Sequence, residues 1–306
     1  MFDWQSIEAS FKAMEAVPVV PCAKAADVIR DFFKTRGIDV VVDHRAIQKT
    51  PSMIREISAQ RLISDALIDA MVPKVGPQIL FHYTKIGGLR SISKNGYLRL
   101  SRLTDVLGND EYTTFANAHG LVGIHSKTGQ GNTILEEIAE TLFYASFAIP
   151  GSHDAAQLWQ EQGGGGAGVR LRLHATPHAA LFKRMEYDCG QPTLLHDLNN
   201  ELRCEVGVPF VPHGISRLAA FYLPASYAFE GEVRLLQPAH KDYKGSELVE
   251  DNGKRYLKAA FADNKICDLK GLAIEYGSNA REDTVEKAIA NTSLQGMQIV
   301  AAVGNA

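Results

Sequence analysis

The sequence predicts an α+β fold in which a mostly antiparallel or split β-sheet is surrounded by helices. Short segments with alternating apolar residues recur between residues 78 and 303, and a period of two is typical of strands. Helical patterns interrupt these segments irregularly, which argues against a regular strand–helix alternation and so against a parallel sheet. No glycine-rich fingerprint of the GxGxxG type follows a predicted strand, so a dinucleotide-binding parallel sheet is not indicated.

The composition is that of an ordinary globular protein. The chain has 306 residues, of which 45% are apolar and 22% charged, so it can bury one large core or two smaller ones. A net charge of -3 gives no sign of a nucleic-acid or membrane partner. The four cysteines include no CxxC pair, which favours reduced thiols over a disulfide framework.

Two features bear on where the protein acts. Residues 1–17 are acidic and amphipathic and lack the basic and then apolar pattern of a secretory signal. The apolar runs of the sequence are too short to span a membrane. We expect a cytoplasmic protein with no membrane partner, or one delivered into a target cell without a cleaved signal peptide.

Residues 1–76 predict a helical N-terminal region, which Pro73, Gly76 and Pro77 separate from an α+β domain over 77–306. Apolar residues at helical spacing, with Thr50 as a plausible N-cap and Pro51 at the first helical position, predict three helices and a short strand. The helices are predicted over 6–17, 25–36 and 50–71, and the strand over 38–42. The region shows no recognisable chemistry, so we interpret it as a cap or as a docking element for a partner.

The stretch 78–111 predicts a strand, a helix and a second strand, and it organises the larger domain. Alternation over 78–84 places His82 near the end of the first strand. Gly96, after Asn95, supplies the left-handed conformation that ends a helix. The second strand ends at Ser101, so polar groups gather at two strand ends, where sheets often present their chemistry.

The remainder of the chain predicts many short elements. Helices are predicted over 111–118, 134–141, 154–162, 215–222 and 281–291, a helix–strand–helix unit over 176–203, and strands over 142–149, 168–174, 229–236, 256–261, 268–276 and 297–303. Loops are predicted over 120–132 and 206–214.

The sharpest chemical pattern is Glu230-Gly231-Glu232-Val233-Arg234. On a strand, the two carboxylates and the guanidinium would share one face, and Gly231 would let a ligand or another backbone approach closely. Paired carboxylates can stabilise a developing oxocarbenium ion and orient an acceptor, as in glycosyl chemistry. The simpler alternative is a solvated strand face with an Arg–Glu ion pair.

His82 has two interpretations: a hydrogen-bonded core histidine, or a neutral donor to a sugar hydroxyl or an amide. It lies on the opposite strand face from Tyr83, so the two are not expected to act on one ligand. Residues 163–166, four glycines, lack the Lys-Ser/Thr ending of a phosphate loop and predict a flexible connection. No cysteine and histidine spacing predicts a zinc site, so no metal is expected.

The order of several short motifs resembles the bacterial family catalogued as domain of unknown function 2971. The likeness covers roughly residues 78–300 and consists of Phe81-His82-Tyr83-Thr84, Leu98-Arg99-Leu100-Ser101, Asn109-Asp110, Ser146-Phe147, Leu158-Trp159 with Gly168-Val169, and Glu230-x-Glu232-x-Arg234.

The arrangement also resembles the ADP-ribosyltransferase superfamily, which has a split sheet with functional residues on a first, a middle and a late strand. This resemblance implies that His82 holds the nicotinamide ribose or amide of NAD. It implies that Glu232 is the late-strand catalytic glutamate and that Glu230 takes the place of the acceptor-activating residue. Tyr144 and Ser146 match the middle-strand position.

The same resemblance implies further contacts to NAD from Tyr83, Thr84 and Ser101. It leaves open which tyrosine stacks on the nicotinamide, because Tyr97, Tyr112 and Tyr144 are all candidates.

These resemblances imply an NAD-dependent ADP-ribosyltransferase that acts as a bacterial toxin, effector or defence protein. It would cleave the nicotinamide–ribose bond and transfer ADP-ribose to a macromolecular acceptor, a protein or a nucleic acid. Three alternatives stay open. One is an NAD glycohydrolase with water as acceptor, another is a relative that has lost catalysis, and the third is a non-catalytic module that binds nucleic acid or protein, with Trp159 as a contact.

Overall fold

The computed structural model describes most of the chain after residue 19. The described residues are 20–58, 60–106, 110–120, 133, 139–178, 181–239, 247–251, 253–261 and 265–302. The predicted helix over 6–17, nearly all of the predicted loop over 120–132 and most of the predicted helix over 134–141 therefore lie outside the described residues.

The described chain contains helices and strands in irregular succession. The helices are α1 (Ala23–Thr35), α2 (Leu62–Met71), α3 (Ile86–Asn95), α4 (Leu103–Val106), α5 (Asp110–His119), α6 (Ala155–Glu161), α7 (Leu194–Val206), α8 (Ile215–Ala219) and α9 (Glu282–Ile289), with short 3-10 helices at His44–Ala46 and Ala225–Glu230. The strands are β1 (Val20–Pro21), β2 (Ile47–Lys49), β3 (Ile54–Glu56), β4 (Gln78–Thr84), β5 (Tyr97–Arg102), β6 (Leu142–Ala148), β7 (Val169–Pro177), β8 (Leu181–Arg184), β9 (Glu186–Asp188), β10 (Tyr222–Pro224), β11 (Glu232–Pro238), β12 (Leu248–Asp251), β13 (Lys254–Ala260), β14 (Cys267–Tyr276) and β15 (Gln298–Ala301).

Contacts divide the chain into two compact units, each assembled from three segments. Unit 1 consists of 1–73, 109–138 and 188–222, and unit 2 consists of 74–108, 139–187 and 223–306. The predicted domain boundary between residues 76 and 77 stays a prediction, because a contact unit is not by itself an independently folding domain.

Unit 1 combines helices with a small antiparallel sheet of β1, β2 and β3. Helix α1 packs against α7. The buried residues of α1 recur at helical spacing and are Ala25, Ala26, Ile29, Phe32 and Phe33, each at most 1% exposed. Burial of these apolar side chains is what stabilises the helix in the folded chain.

The structure corrects two predictions in the N-terminal region. Residues 38–42 form no strand. The third helix begins at Leu62 rather than near Thr50, because the Thr50 hydroxyl accepts the Met53 N–H at 3.1 Å and so closes a turn. Ile54 then pairs with Lys49 in the small sheet. The described part of this region is therefore mixed rather than purely helical.

Unit 2 is built on one ten-stranded sheet. Its order is β12-β13-β5-β6-β4-β7-β14-β15, and β11 pairs with both β6 and β8. All described pairings in this sheet are antiparallel except that of β14 with β15. The predicted α+β class with a mostly antiparallel sheet is therefore confirmed at this level.

Strand β6 is the centre of this sheet, because its two edges are used differently. One edge pairs with β11 along the whole of β6. The other edge pairs with β5 at Phe143 and Tyr144 and then with β4 at Ala148. Along this edge, β6 changes its neighbour from β5 to β4. The predicted site residues of β4, β6 and β11 lie near that change.

Several predicted elements of unit 2 are confirmed. Helix α3 ends at Gly96, which has a left-handed φ of 71° and returns its N–H to the Ile92 carbonyl. The predicted unit over 176–203 is wrong in its first part, because β7 continues to Pro177 and β8 follows where a helix was expected.

In the described part of the chain, no helix is both long and apolar enough to cross a membrane.

Candidate active site

The centre of the candidate site is an ion pair on β11. The Glu232 and Arg234 side chains are only 4% and 2% exposed, and they lie on one face of the strand as predicted. Arg234 Nε donates to Glu232 Oε1 at 3.1 Å, and Arg234 Nη2 donates to Oε2 at 3.1 Å. This two-point contact fixes both carboxylate oxygens and compensates the buried negative charge.

A serine of the neighbouring strand completes the carboxylate's environment. Ser146 of β6 lies opposite Arg234 in the β6–β11 register, so the two side chains project from the same face. The Ser146 hydroxyl donates a short hydrogen bond to Glu232 Oε1. Tyr144, two residues earlier on β6, places its ring 4.3 Å from the Arg234 guanidinium carbon.

Ser101 belongs to the same face at the next strand. It lies opposite Tyr144 in the β5–β6 register. The structure thus gathers four predicted site residues, Ser101, Tyr144, Ser146 and Glu232, along one line across β5, β6 and β11.

His82 contacts the main chain of Ser146 rather than any of these side chains. Its Nδ1 donates to the Ser146 carbonyl oxygen at 3.1 Å. Its ring lies 5.7 Å from that of Phe147, and Phe147 projects from β6 on the opposite face to Ser146. The His82 ring and the Glu232 carboxylate therefore lie on opposite faces of the sheet. Ser146 contacts both, because its carbonyl accepts from His82 and its hydroxyl donates to Glu232.

The protonation of His82 corrects its predicted role. Burial lowers the pKa of His82, although its bond to Ser146 opposes the shift, so the ring is neutral at neutral pH. A carbonyl can only accept, so the single proton of the neutral ring sits on Nδ1. The other nitrogen, Nε2, is then an acceptor, whereas the sequence predicted a neutral donor.

Glu230 does not share the strand face with Glu232, which corrects the predicted arrangement. It ends the 3-10 helix Ala225–Glu230, and Gly231 follows with a left-handed φ of 50°. A Cβ on Gly231 would lie 2.1 Å from the Ser152 carbonyl oxygen. The glycine therefore admits another backbone, as the sequence predicted, and the bend it makes removes Glu230 from the strand.

Tyr187 is a contact that the sequence reasoning missed. Its hydroxyl oxygen accepts the Glu232 main-chain N–H at 2.8 Å. Burial raises the pKa of the Tyr187 hydroxyl well above its ordinary value, so this group is a phenol at neutral pH. The short strand β9 that carries Tyr187 has no apolar periodicity, and a contact this distant in sequence leaves no local signal.

Tyr83 belongs to a separate hydrogen-bonded chain on β4 and β7. Arg170 Nη1 donates to the Tyr83 hydroxyl at 2.9 Å, and Arg170 is paired with Glu275 through a 2.6 Å contact. The Tyr83 hydroxyl in turn lies 2.9 Å from His153 Nε2. Since His153 Nδ1 donates to the Ile149 carbonyl at 2.8 Å, Nε2 of the neutral ring accepts from Tyr83.

Two predicted site residues make other contacts within unit 2, and a third belongs to unit 1. Thr84 ends β4 and packs against the backbone of Gly88. Tyr97 stacks on Tyr256 with ring centroids 6.3 Å apart. Tyr112 lies in α5, in unit 1, and its side chain is outside the described residues.

The arrangement can orient a hydroxyl and stabilise positive charge. The Glu232 carboxylate is held in place by Arg234, and its Oε1 also accepts a hydrogen bond from the Ser146 hydroxyl. A fixed carboxylate in a water-poor site acts more strongly on a nearby developing cation than the same group in water. Within the described residues, no group of three or more His, Cys, Asp or Glu side chains is placed to hold a metal ion.

Comparison with known proteins adds no assignment. No family model, no curated protein and no solved structure matches the chain. The likeness to the two families therefore stays a prediction from the sequence motifs.

Proposed function

We propose that the chain is an NAD-dependent ADP-ribosyltransferase of the bacterial toxin, effector or defence type. The observation that carries the proposal is the contact between the Ser146 hydroxyl and the Glu232 carboxylate on neighbouring strands. It occurs where β6 changes partner from β5 to β4, and this change of partner supports the proposal because the resemblance implies functional residues on a first, a middle and a late strand. His82 of β4 donates a hydrogen bond to the carbonyl of the same serine.

In the proposed reaction, the bond between the ribose C1′ and the nicotinamide nitrogen breaks. Its electron pair leaves with nicotinamide, and the ribose becomes an oxocarbenium ion. The Glu232 carboxylate stabilises this cation by accepting a hydrogen bond from the ribose 2′-hydroxyl. That hydroxyl joins the Ser146 hydroxyl, which keeps Oε1 in place, since each carboxylate oxygen can accept more than one hydrogen bond. An acceptor nucleophile then attacks C1′ and loses its proton.

His82 and Glu230 take the remaining roles. His82 is a positioning residue: from the opposite face of the sheet, its Nδ1 donates to the Ser146 carbonyl and so fixes the strand that carries Ser146. Glu230, one residue before the strand-opening bend at Gly231, takes the acceptor's proton. The acceptor is a protein or nucleic-acid group and is not specified by these residues.

The test is nicotinamide release from NAD by the purified protein, with Glu232→Gln as the inactive variant. Because this substitution leaves the buried Arg234 without its anion, it also costs stability, by about 3–5 kcal/mol for a broken buried pair. Thermal unfolding of each variant must therefore accompany the assay. Nicotinamide release by a folded Glu232→Gln protein at the wild-type rate would contradict the proposal.

One observation favours a non-catalytic alternative. Both oxygens of Glu232 are bonded within the protein, and its side chain is only 4% exposed, which also suits a structural ion pair. A binding module of this kind would bind RNA or DNA with strong salt dependence and leave NAD intact. An NAD glycohydrolase would instead release nicotinamide and free ADP-ribose, with no ADP-ribose attached to a macromolecule.

A further inference from the structure

A second concave site lies in unit 2 beside β4 and β7. It is a cavity of about 510 Å³, which is within the usual range for small-molecule sites. Its lining includes three rings and three polar side chains: Phe81, Trp159, His153, Arg170, Ser278 and Asn279. The Glu232 carboxylate and its two partners are not part of this lining.

The walls of the cavity are held rigidly by contacts behind them. The Arg170 guanidinium lies 4.1 Å from the Phe81 ring centroid and is fixed by Glu275 and Tyr83. The Trp159 ring meets the Tyr83 ring edge to face, with centroids 5.1 Å apart. Aromatic faces that are fixed before a ligand arrives lower the entropy lost on binding.

The cavity carries little net charge. Arg170 is compensated by Glu275, whose carboxylate lies 2.6 Å from Arg170 Nη2. His153 accepts from Tyr83 and donates to Ile149, and burial lowers its pKa, so it is neutral. These features disfavour an anionic group such as a phosphate and favour an uncharged planar ring.

Polar side chains of the lining suit the edge of a nitrogen heterocycle. Asn279 Nδ2 donates to the Gly165 carbonyl at 2.8 Å, and within the described residues its Oδ1 has no hydrogen-bond partner. Gln160 lines the same cavity and is exposed. Side-chain amides present a donor and an acceptor together, which is the pattern that nucleobases and ring amides also present.

We propose that this cavity binds a planar nitrogen heterocycle, stacked on Trp159 with its polar edge toward Asn279 and Gln160. The ring belongs to a free nucleoside or to one end of a dinucleotide, and these sources share the same recognition chemistry. Binding here does not depend on Glu232, so the inference stands apart from the proposed transferase reaction.

The chain offers a direct optical reporter for this site. It contains two tryptophans, so a Trp4→Phe protein emits from Trp159 alone. Adenosine, nicotinamide and NAD are titrated separately into this single-tryptophan protein, and ribose 5-phosphate serves as the probe without a ring. Stacking should quench Trp159 saturably with at least one ring-bearing probe and not with ribose 5-phosphate. The probe that quenches at lowest concentration identifies the source of the ring.

Two variants of α6 form a matched pair in that background. Gln160→Ala removes an amide of the lining and should weaken binding by about fivefold, the loss expected for one hydrogen bond. Gln157→Ala removes an exposed amide of the same helix outside the lining and should leave affinity unchanged. Asn279→Ala should weaken binding like Gln160→Ala, and Glu232→Gln should not.

Two outcomes would overturn the inference. One is the absence of saturable quenching by all three ring-bearing probes in the folded protein. The other is equal affinity in Gln160→Ala, Asn279→Ala and Gln157→Ala. Retained quenching in a protein that leaves NAD intact would support this site and count against the transferase proposal separately.

Discussion

Gly231 decides which carboxylate of the Glu-Gly-Glu motif belongs to the strand. Its φ of 50° turns the chain out of the 3-10 helix, and the Ser152 carbonyl fills the space where a Cβ would stand. The motif predicted the close approach of another backbone. It did not predict the bend, because a left-handed glycine and an extended glycine look the same in sequence.

Gly231→Ala should therefore destabilise the protein by at least about 2 kcal/mol, since left-handed backbone costs an alanine roughly 1–2 kcal/mol and the contact with Ser152 adds to it. Gly253→Ala is the matched control, because Gly253 has a φ of 75° with no heavy atom within 4 Å of the added Cβ. It should cost about 1 kcal/mol. Urea midpoints measure both variants, and equal losses would show that the Ser152 contact has no effect.

His119 makes the stability of the protein depend on pH. It is fully buried, and its Nδ1 donates to the Phe115 carbonyl at 2.7 Å. Among the residues that the structure describes, its Nε2 has no hydrogen-bond partner. Burial lowers the pKa of His119 below its ordinary value near 6.5. The unfolded chain then binds a proton that the folded chain does not, in the range between the lowered pKa and about 6.5.

The stabilisation from neutral His119 is complete above about pH 6.5 and is lost as the pH falls toward the lowered pKa. Urea midpoints measured from about pH 7.5 down to about pH 5 should fall less steeply in His119→Leu than in the wild type. Identical slopes in the two proteins would contradict this role for His119.

Helix α2 shows what a periodic pattern does and does not predict. The apolar spacing predicted a helix ending at Met71, which is confirmed, but it also placed the start near Thr50. The actual start depends on Glu56, a buried residue of β3. Its carboxylate accepts the Ile63 N–H at 3.0 Å and the Ser64 N–H at 2.9 Å. A cap supplied from an earlier strand is a tertiary contact and leaves no sequence signal.

Glu56→Gln should cost about 2 kcal/mol, because the amide can replace one oxygen but turns an N–H donor toward the helix N-terminus. Asp65→Asn, in the first turn of the same helix, is the control and should cost less than about 1 kcal/mol. The comparison is made on guanidinium midpoints. A loss no larger for Glu56→Gln than for Asp65→Asn would contradict the capping role.

At the scale of the whole molecule, the class of the sheet was predictable and the path of the chain was not. The sequence predicted β4, β5, β6, β7 and β14 as strands, and the irregular placement of helices among the strands predicted a mostly antiparallel or split sheet. Residues 109–138 and 188–222 belong to unit 1 rather than to unit 2. This assignment depends on contacts between segments that are far apart in the sequence. Sequence periodicity shows which face of an element is apolar and does not show which partner covers it.

This organisation makes a fragment of residues 77–306 informative. It lacks α1, whose apolar face includes Phe32 and packs against α7. The surface of α7 that α1 and α2 cover would become exposed, at about 1.5–3 kcal/mol for each apolar side chain uncovered. We expect the fragment to lose helical circular dichroism and to aggregate. A monomeric fragment with the thermal midpoint of the full chain would instead support the predicted boundary at residue 76.

The most direct test of the account is the rate of nicotinamide release from NAD by Ser146→Ala. This variant removes the hydroxyl from Glu232 but keeps the Arg234 ion pair, so the fold should lose only about 1 kcal/mol. Ser152→Ala, whose exposed hydroxyl bonds the Ile149 carbonyl, is the matched control. We predict turnover by the wild type and by Ser152→Ala, and a rate lower by about tenfold or more in Ser146→Ala. Equal rates in all three folded proteins, or no release by any of them when an acceptor-rich extract is supplied, would contradict a catalytic role for the Ser146–Glu232 contact.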